Sequence, residues 1–238
     1  MTCFQLPVSL CKRIQSAVTR FWWDDRSGKK KMAWIAWSEL TKPKAFGGLG
    51  FRDFQRFNEA SFAKLSWRML ENPNSLLFRT LRGKYYPDGD ILTCDFSSAG
   101  SHGWRSVLVG HDLLVKNLGW NVGNGKDINI WYDPCLDHTS QKRPYGPAPE
   151  AFVNLTVADL RLSLEEEWDV KKIRLILPQH EEDILCLKPS ISNASDKLVW
   201  LGTKSGSYSI KSGYYFATSL EEDNVELRPE PNRWYKNV

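Results

Sequence analysis

A chain of 238 residues, 42% hydrophobic and 25% charged, has room for one large domain or two small ones, and its balance excludes wholesale disorder. Mean hydropathy is negative and no apolar run approaches the roughly 20 residues that cross a bilayer, so no membrane partner is expected. The net charge of +4 is uneven: residues 1–90 hold 16 Lys and Arg against 8 Asp and Glu, while the remainder holds 16 against 20. A basic half joined to a mildly acidic one points to a polyanion partner for the first; a solvated surface with chance asymmetry is the plain alternative. The segment Met1 to Pro7 lacks a basic region followed by an apolar core, so no secretory signal is expected. Five scattered cysteines disfavour a disulfide framework and favour a reducing, intracellular, nuclear or organellar setting. Most of the eleven tryptophans should be core residues.

Behind Pro7, the positions Leu10, Ile14, Val18 and Phe21 form one apolar helical stripe, with Lys12, Arg13, Ser16 and Arg20 off it. A polar break, Asp24 to Gly28, leads to Lys29-Lys30-Lys31, then Trp34 and Trp37, then a loop from Lys42 to Gly50. Asp53 should cap a long helix that ends before Asn72-Pro73, with an apolar stripe broad enough for more than one neighbour. Asn74 should cap a shorter helix through Leu77, Leu81 and Tyr85. Another fits Trp104 to Val115, with Gly119 at its C-terminal end.

The period then changes. Trp120 and Val122, the turn Asn124-Gly125, and Ile128 and Ile130 predict a hairpin. Thr139 to Pro149 is the candidate linker, followed by two short helices around Trp168–Leu177 and Pro178–Leu187. A second hairpin is expected from Leu198/Trp200 and Tyr208/Ile210, then a short helix over Tyr214–Ala217 and an acidic, proline-bearing tail. The expected class is α+β: a mainly helical, basic part over 1–118, a hairpin connector over 119–138, a linker over 139–150, a small α+β segment over 151–219 and a tail over 220–238.

No catalytic constellation stands out. Polymerases need carboxylates converging on divalent metal ions; the adjacent pair Asp24-Asp25 lacks flanking strands and reads as a solvated turn. Cys135-x-x-His138 has no second ligand pair to close a zinc site. Gly123-Asn124-Gly125-Lys126 lacks the glycine that a phosphate loop needs six positions before its lysine, since Trp120 stands there. No metal, cofactor or enzymatic activity is therefore expected. What remains is a basic half interleaved with aromatic residues. Its candidates for phosphate contact are Arg13, Arg20, Lys29, Lys30, Lys31, Lys42, Lys44, Arg52 and Arg56.

A set of short motifs carries a more specific signal. Phe21-Trp22-Trp23, Trp34-x-x-Trp37-x-x-Leu40 and Pro43-Lys44-x-x-Gly47-Gly48-Leu49-Gly50-Phe51-Arg52-Asp53 come first. Phe57-Asn58-x-Ala60, Trp67-Arg68, Lys84-Tyr85-Tyr86-Pro87 and Trp104-Arg105-Ser106 follow. Trp120-x-Val122-Gly123-x-Gly125, Ile130-Trp131-x-Asp133-Pro134 and Gly206-x-Tyr208-Ser209-Ile210-Lys211-Ser212-Gly213-Tyr214 complete the series. In this order they resemble the region downstream of the polymerase palm in plant LINE-type non-LTR retrotransposons. Cys135 departs from the family's usual Trp, and Leu65 from its usual Gln. The resemblance implies a reverse-transcriptase thumb over 1–118 and a connector leading towards a zinc-binding module. It also implies nucleic acid, the backbone of an RNA–DNA or DNA duplex, as a weak, non-specific partner, and a missing palm domain. A co-opted or degenerate stand-alone binding protein is the alternative.

Overall fold

The computed structural model describes residues 4–25, 31–87, 91–92, 100–162, 167–190 and 192–226; Lys29, Lys30 and the tail beyond Glu226 lie outside the described residues. In chain order the elements are α1 (Val8–Trp23), α2 (Trp37–Thr41), α3 (Phe54–Glu71), α4 (Leu76–Tyr85), α5 (His102–Val115), β1 (Leu118–Asn121), α6 (Val170–Ile176), α7 (Glu181–Cys186), β2 (Lys197–Trp200) and α8 (Ile210–Glu226). The class is α+β, as expected. The chain divides into two compact units, one of Met1–Leu113 with Ser209–Val238 and one of Leu114–Tyr208.

The first unit is built around α3. Asp53 caps this helix by accepting from the backbone N–H groups of Gln55 and Arg56, and Asn72 ends it. Its broad buried face, which includes Phe62, Ala63, Trp67 and Met69, packs against α1 and α8. The Ser66 hydroxyl donates to the Val107 carbonyl of α5 at 2.9 Å. Gly110 of α5 lies so close to the backbone of Phe62 and Ala63 that a Cβ there would collide with it. Trp104 is buried and stacks on Tyr85 at 4.6 Å and on Tyr86 at 5.6 Å. The entry to α1 is fixed by two buried polar side chains: Asn58 accepts from the N–H of Leu6 at 2.8 Å, and Ser106 accepts from Gln5 at 3.0 Å. The N-cap of α4 is Ser75 rather than Asn74.

Helix α8 is much longer than the short helix expected over 214–217, and it takes residues 220–226 out of the expected tail. Ser209 and Ser212 explain its start. Each side chain accepts from the other's backbone N–H, a reciprocal cap that draws Ile210 into the helix and away from a strand.

The second unit corrects both predicted hairpins. Among the described residues its only sheet pairs β1 with β2, antiparallel, from Leu118 opposite Trp200 to Asn121 opposite Lys197. The would-be partner of β1, around Ile128–Ile130, instead exchanges backbone hydrogen bonds with Leu155 and Val157. Asn129 makes this turn: its side-chain oxygen accepts from the N–H groups of Trp131 and Tyr132, and its amide donates to the Val153 carbonyl. Both pairings join residues far apart in sequence, so local turn chemistry misleads. A core of Val122, Ile128, Ile130, Leu160, Ile173 and Ile184 closes the unit.

The stretch 139–150 is not a free linker. Gln141 donates to the carbonyls of Val115 and Leu118, Lys142 pairs with Asp183 at 2.6 Å, and the N–H of Tyr145 donates to Nε2 of buried His180. The boundary expected at 118 falls instead at 113, and the segments expected over 119–138 and 151–208 share one unit.

Candidate nucleic-acid interface

Helix α1 sorts its side chains by face. Cys11, Ile14 and Val18 lie on the side packed against α3, where Gln15 also reaches the Asp53 carboxylate at 3.4 Å. Arg13, Ser16 and Arg20 fall on the opposite, exposed side. Arg13 and Arg20 are seven positions apart, about 10 Å along the axis and nearly in line. Arg20 sits in the last turn, where the helix dipole favours a cation. Neither arginine has a carboxylate partner among the described residues.

The other candidates divide by their neighbours. Lys31 pairs with Asp25 at 3.5 Å and Lys42 with Glu39 at 2.9 Å; all four side chains are exposed, and such pairs hold a cation only loosely. Arg56 is held by Glu59 at 2.9 Å, half-buried along α3. Lys44 is exposed beside the loop whose Gly47 and Gly50 adopt left-handed backbone, φ +81° and +69°. The Arg52 guanidinium lies over the Phe57 ring at 4.9 Å. Lys29 and Lys30 lie outside the described residues.

Lys211, absent from the sequence-derived set, joins Arg52 at a cleft of about 450 Å³ whose walls include Phe51, Phe57, Tyr214 and Tyr215. The signal that could have found it is its place in the last motif, between the helix cap and two tyrosines. Burial also departs from expectation at the N-terminal aromatic residues: Trp67, Trp104 and Trp200 are core residues, whereas Trp34 is 77% exposed and Phe21 88% exposed.

The sequences set aside as non-catalytic acquire specific local contacts. Asp24 accepts from the N–H of Lys31, and Asp25 pairs with its ammonium, so both carboxylates are engaged by one lysine. Cys135 is fully buried, and burial followed by the nearby Asp133 and Asp196 charges pushes its thiol up to about 12, while His138 is exposed. The glycine loop does cradle an anion, but one of its own chain: the Asp196 carboxylate accepts from the N–H groups of Gly123, Gly125 and Asp127 at 2.6, 2.9 and 3.0 Å. Among the described residues, no group of three or more His, Cys, Asp or Glu side chains is placed to hold a metal ion. No helix among them is long and apolar enough to cross a membrane.

Charge separates with the units. The first contains 21 Lys and Arg against 15 Asp and Glu, a surplus of six positive charges; the second contains 11 against 13.

No protein-family model matches the chain, and no solved structure matches it. Two relatives from Arabidopsis thaliana do. The chain is 29% identical over 250 aligned positions to “Putative ribonuclease H protein At1g65750”, a match that spans 98% of this chain and 37% of that protein. It is 42% identical over 134 residues to “Uncharacterized mitochondrial protein AtMg00310”, a match that spans 56% of this chain and 87% of that protein. At that identity and coverage the chain belongs to the same family as the Arabidopsis mitochondrial protein AtMg00310.

Proposed function

We propose that this chain is a retroelement-related segment of a reverse-transcriptase polyprotein, thumb and connector, which grips a primer–template duplex by its phosphates and carries no catalytic centre. The observation that carries this reading is the Arg13–Ser16–Arg20 face of α1, solvent-exposed on the unit with the positive surplus. Phosphate neutralisation by such side chains gives affinity without sequence readout. The similarity to a ribonuclease H-named protein across nearly the whole chain supports the retroelement theme. The ordered motifs, which resemble plant LINE-type elements, supply the finer reading. In that arrangement the palm and its metal-binding carboxylates lie outside residues 1–238.

The test is the affinity of the chain for an RNA–DNA hybrid as salt rises from about 50 to 200 mM. With two or more phosphate contacts the affinity should fall by about tenfold or more over that range. An affinity that stays flat overturns the phosphate-grip reading. Primer extension with added magnesium should give no product, and genuine extension overturns the non-catalytic part.

A further inference from the structure

We propose that the cleft between Arg52 and the start of α8 binds one nucleotide of a single strand, with its phosphate between Arg52 and Lys211 and its base against Tyr215. The proposal deepens the nucleic-acid reading above and rests on it for the class of ligand. Four features of the cleft carry it.

The cleft's volume, about 450 Å³, lies within the range of small-ligand sites. Two cations border it, both exposed and neither with a carboxylate partner among the described residues. The nearest carboxylate in sequence, Asp53, is turned into the cap of α3 and accepts from Gln55 and Arg56, so it does not neutralise Arg52. Aromatic faces supply the rest of the wall. Tyr214 is fixed there because its hydroxyl accepts from the Asp53 N–H at 3.0 Å. Tyr215, at 5.9 Å from the Tyr214 ring and 50% exposed, is left open to a base.

The walls are held before any ligand arrives. Phe51 meets Trp22 edge-on at 5.3 Å and Trp37 at 5.7 Å, and Arg52 is seated on Phe57. Little side-chain freedom is therefore lost on binding at that side. Stacking on an aromatic face is tolerant of base identity, and the two cations read only charge. The site should accept a strand of any sequence.

The experiment compares three forms of the full chain: the parent, Lys211→Ala with Tyr215→Ser, and Arg13→Glu with Arg20→Glu. Each is titrated calorimetrically with 5′-phosphorylated tetrathymidylate, with adenosine monophosphate and with a blunt RNA–DNA hybrid. The cleft variant should lose about tenfold or more in affinity for the tetranucleotide and stay within about twofold on the hybrid. The α1 variant should do the reverse. Both altered cleft positions are exposed, and unchanged melting will show that the variant folds; Lys211→Glu with Tyr215 intact gives an independent second variant. Tetranucleotide affinity unchanged in both cleft variants overturns the proposal and leaves the duplex reading standing. Adenosine monophosphate bound as tightly as the tetranucleotide overturns the assignment to a strand. Loss of hybrid binding in the parent, with the tetranucleotide still held in the cleft, overturns the duplex reading instead.

Discussion

A single carboxylate governs the glycine loop of the second unit. Asp196 satisfies three loop N–H groups, and hydrogen bonds to a charged acceptor are worth roughly 1.5–3 kcal/mol each when broken. Asp196→Ala should therefore destabilise this unit by at least about 3 kcal/mol even with water replacing part of the three bonds, measured by urea denaturation; a loss below about 1 kcal/mol would show that water replaces the carboxylate freely. Asp183 gives a pH signature. The Lys142 hydrogen bond, aided by the one from His180, holds its carboxyl below the usual range. A group whose pKa is lowered on folding stabilises the fold above its unfolded value and loses that contribution as the pH falls through the folded one. The stability difference between the parent and Asp183→Asn should thus be constant above about pH 5 and shrink below about pH 4. A difference that grows on acidification would contradict this. The loop's composition was legible as glycine-rich, but its anion was not, because Asp196 lies some seventy positions away in sequence.

At the scale of elements, α1, α3, α4 and α5 declared themselves through local chemistry, whereas α2 was not foreseen and α8 was foreshortened. Asp53 marks the start of α3 and Asn72-Pro73 its end, and the breadth of its apolar stripe foretold several neighbours. Strand pairing did not, since β1 and β2 meet across almost eighty residues and neither partner carries the other's signature. Helix contact was equally silent at Gly110, which looks like a liability inside α5 until the backbone of α3 is seen against it. Gly110→Val should force α3 and α5 apart and cost about 2 kcal/mol or more, a visible drop in thermal midpoint. A neutral effect would mean that the two helices are not in contact there. Of the candidate site, the basic face of α1 was legible from spacing alone. The cleft at Arg52 was not, because Lys211 reaches it only through the fold of α8.

Across the whole molecule, the two units differ in sign of charge, +6 against −2, and in secondary structure. The account requires that nucleic acid distinguish them. The decisive measurement compares two double charge reversals in the full chain, Arg13→Glu with Arg20→Glu in the first unit and Lys171→Glu with Lys188→Glu in the second, all at exposed positions. Affinity for an RNA–DNA hybrid should fall by about tenfold or more in the first variant, with the salt slope reduced by about two, and should barely change in the second. Equal losses in both variants would mean that binding follows overall charge, and would contradict a grip localised on α1.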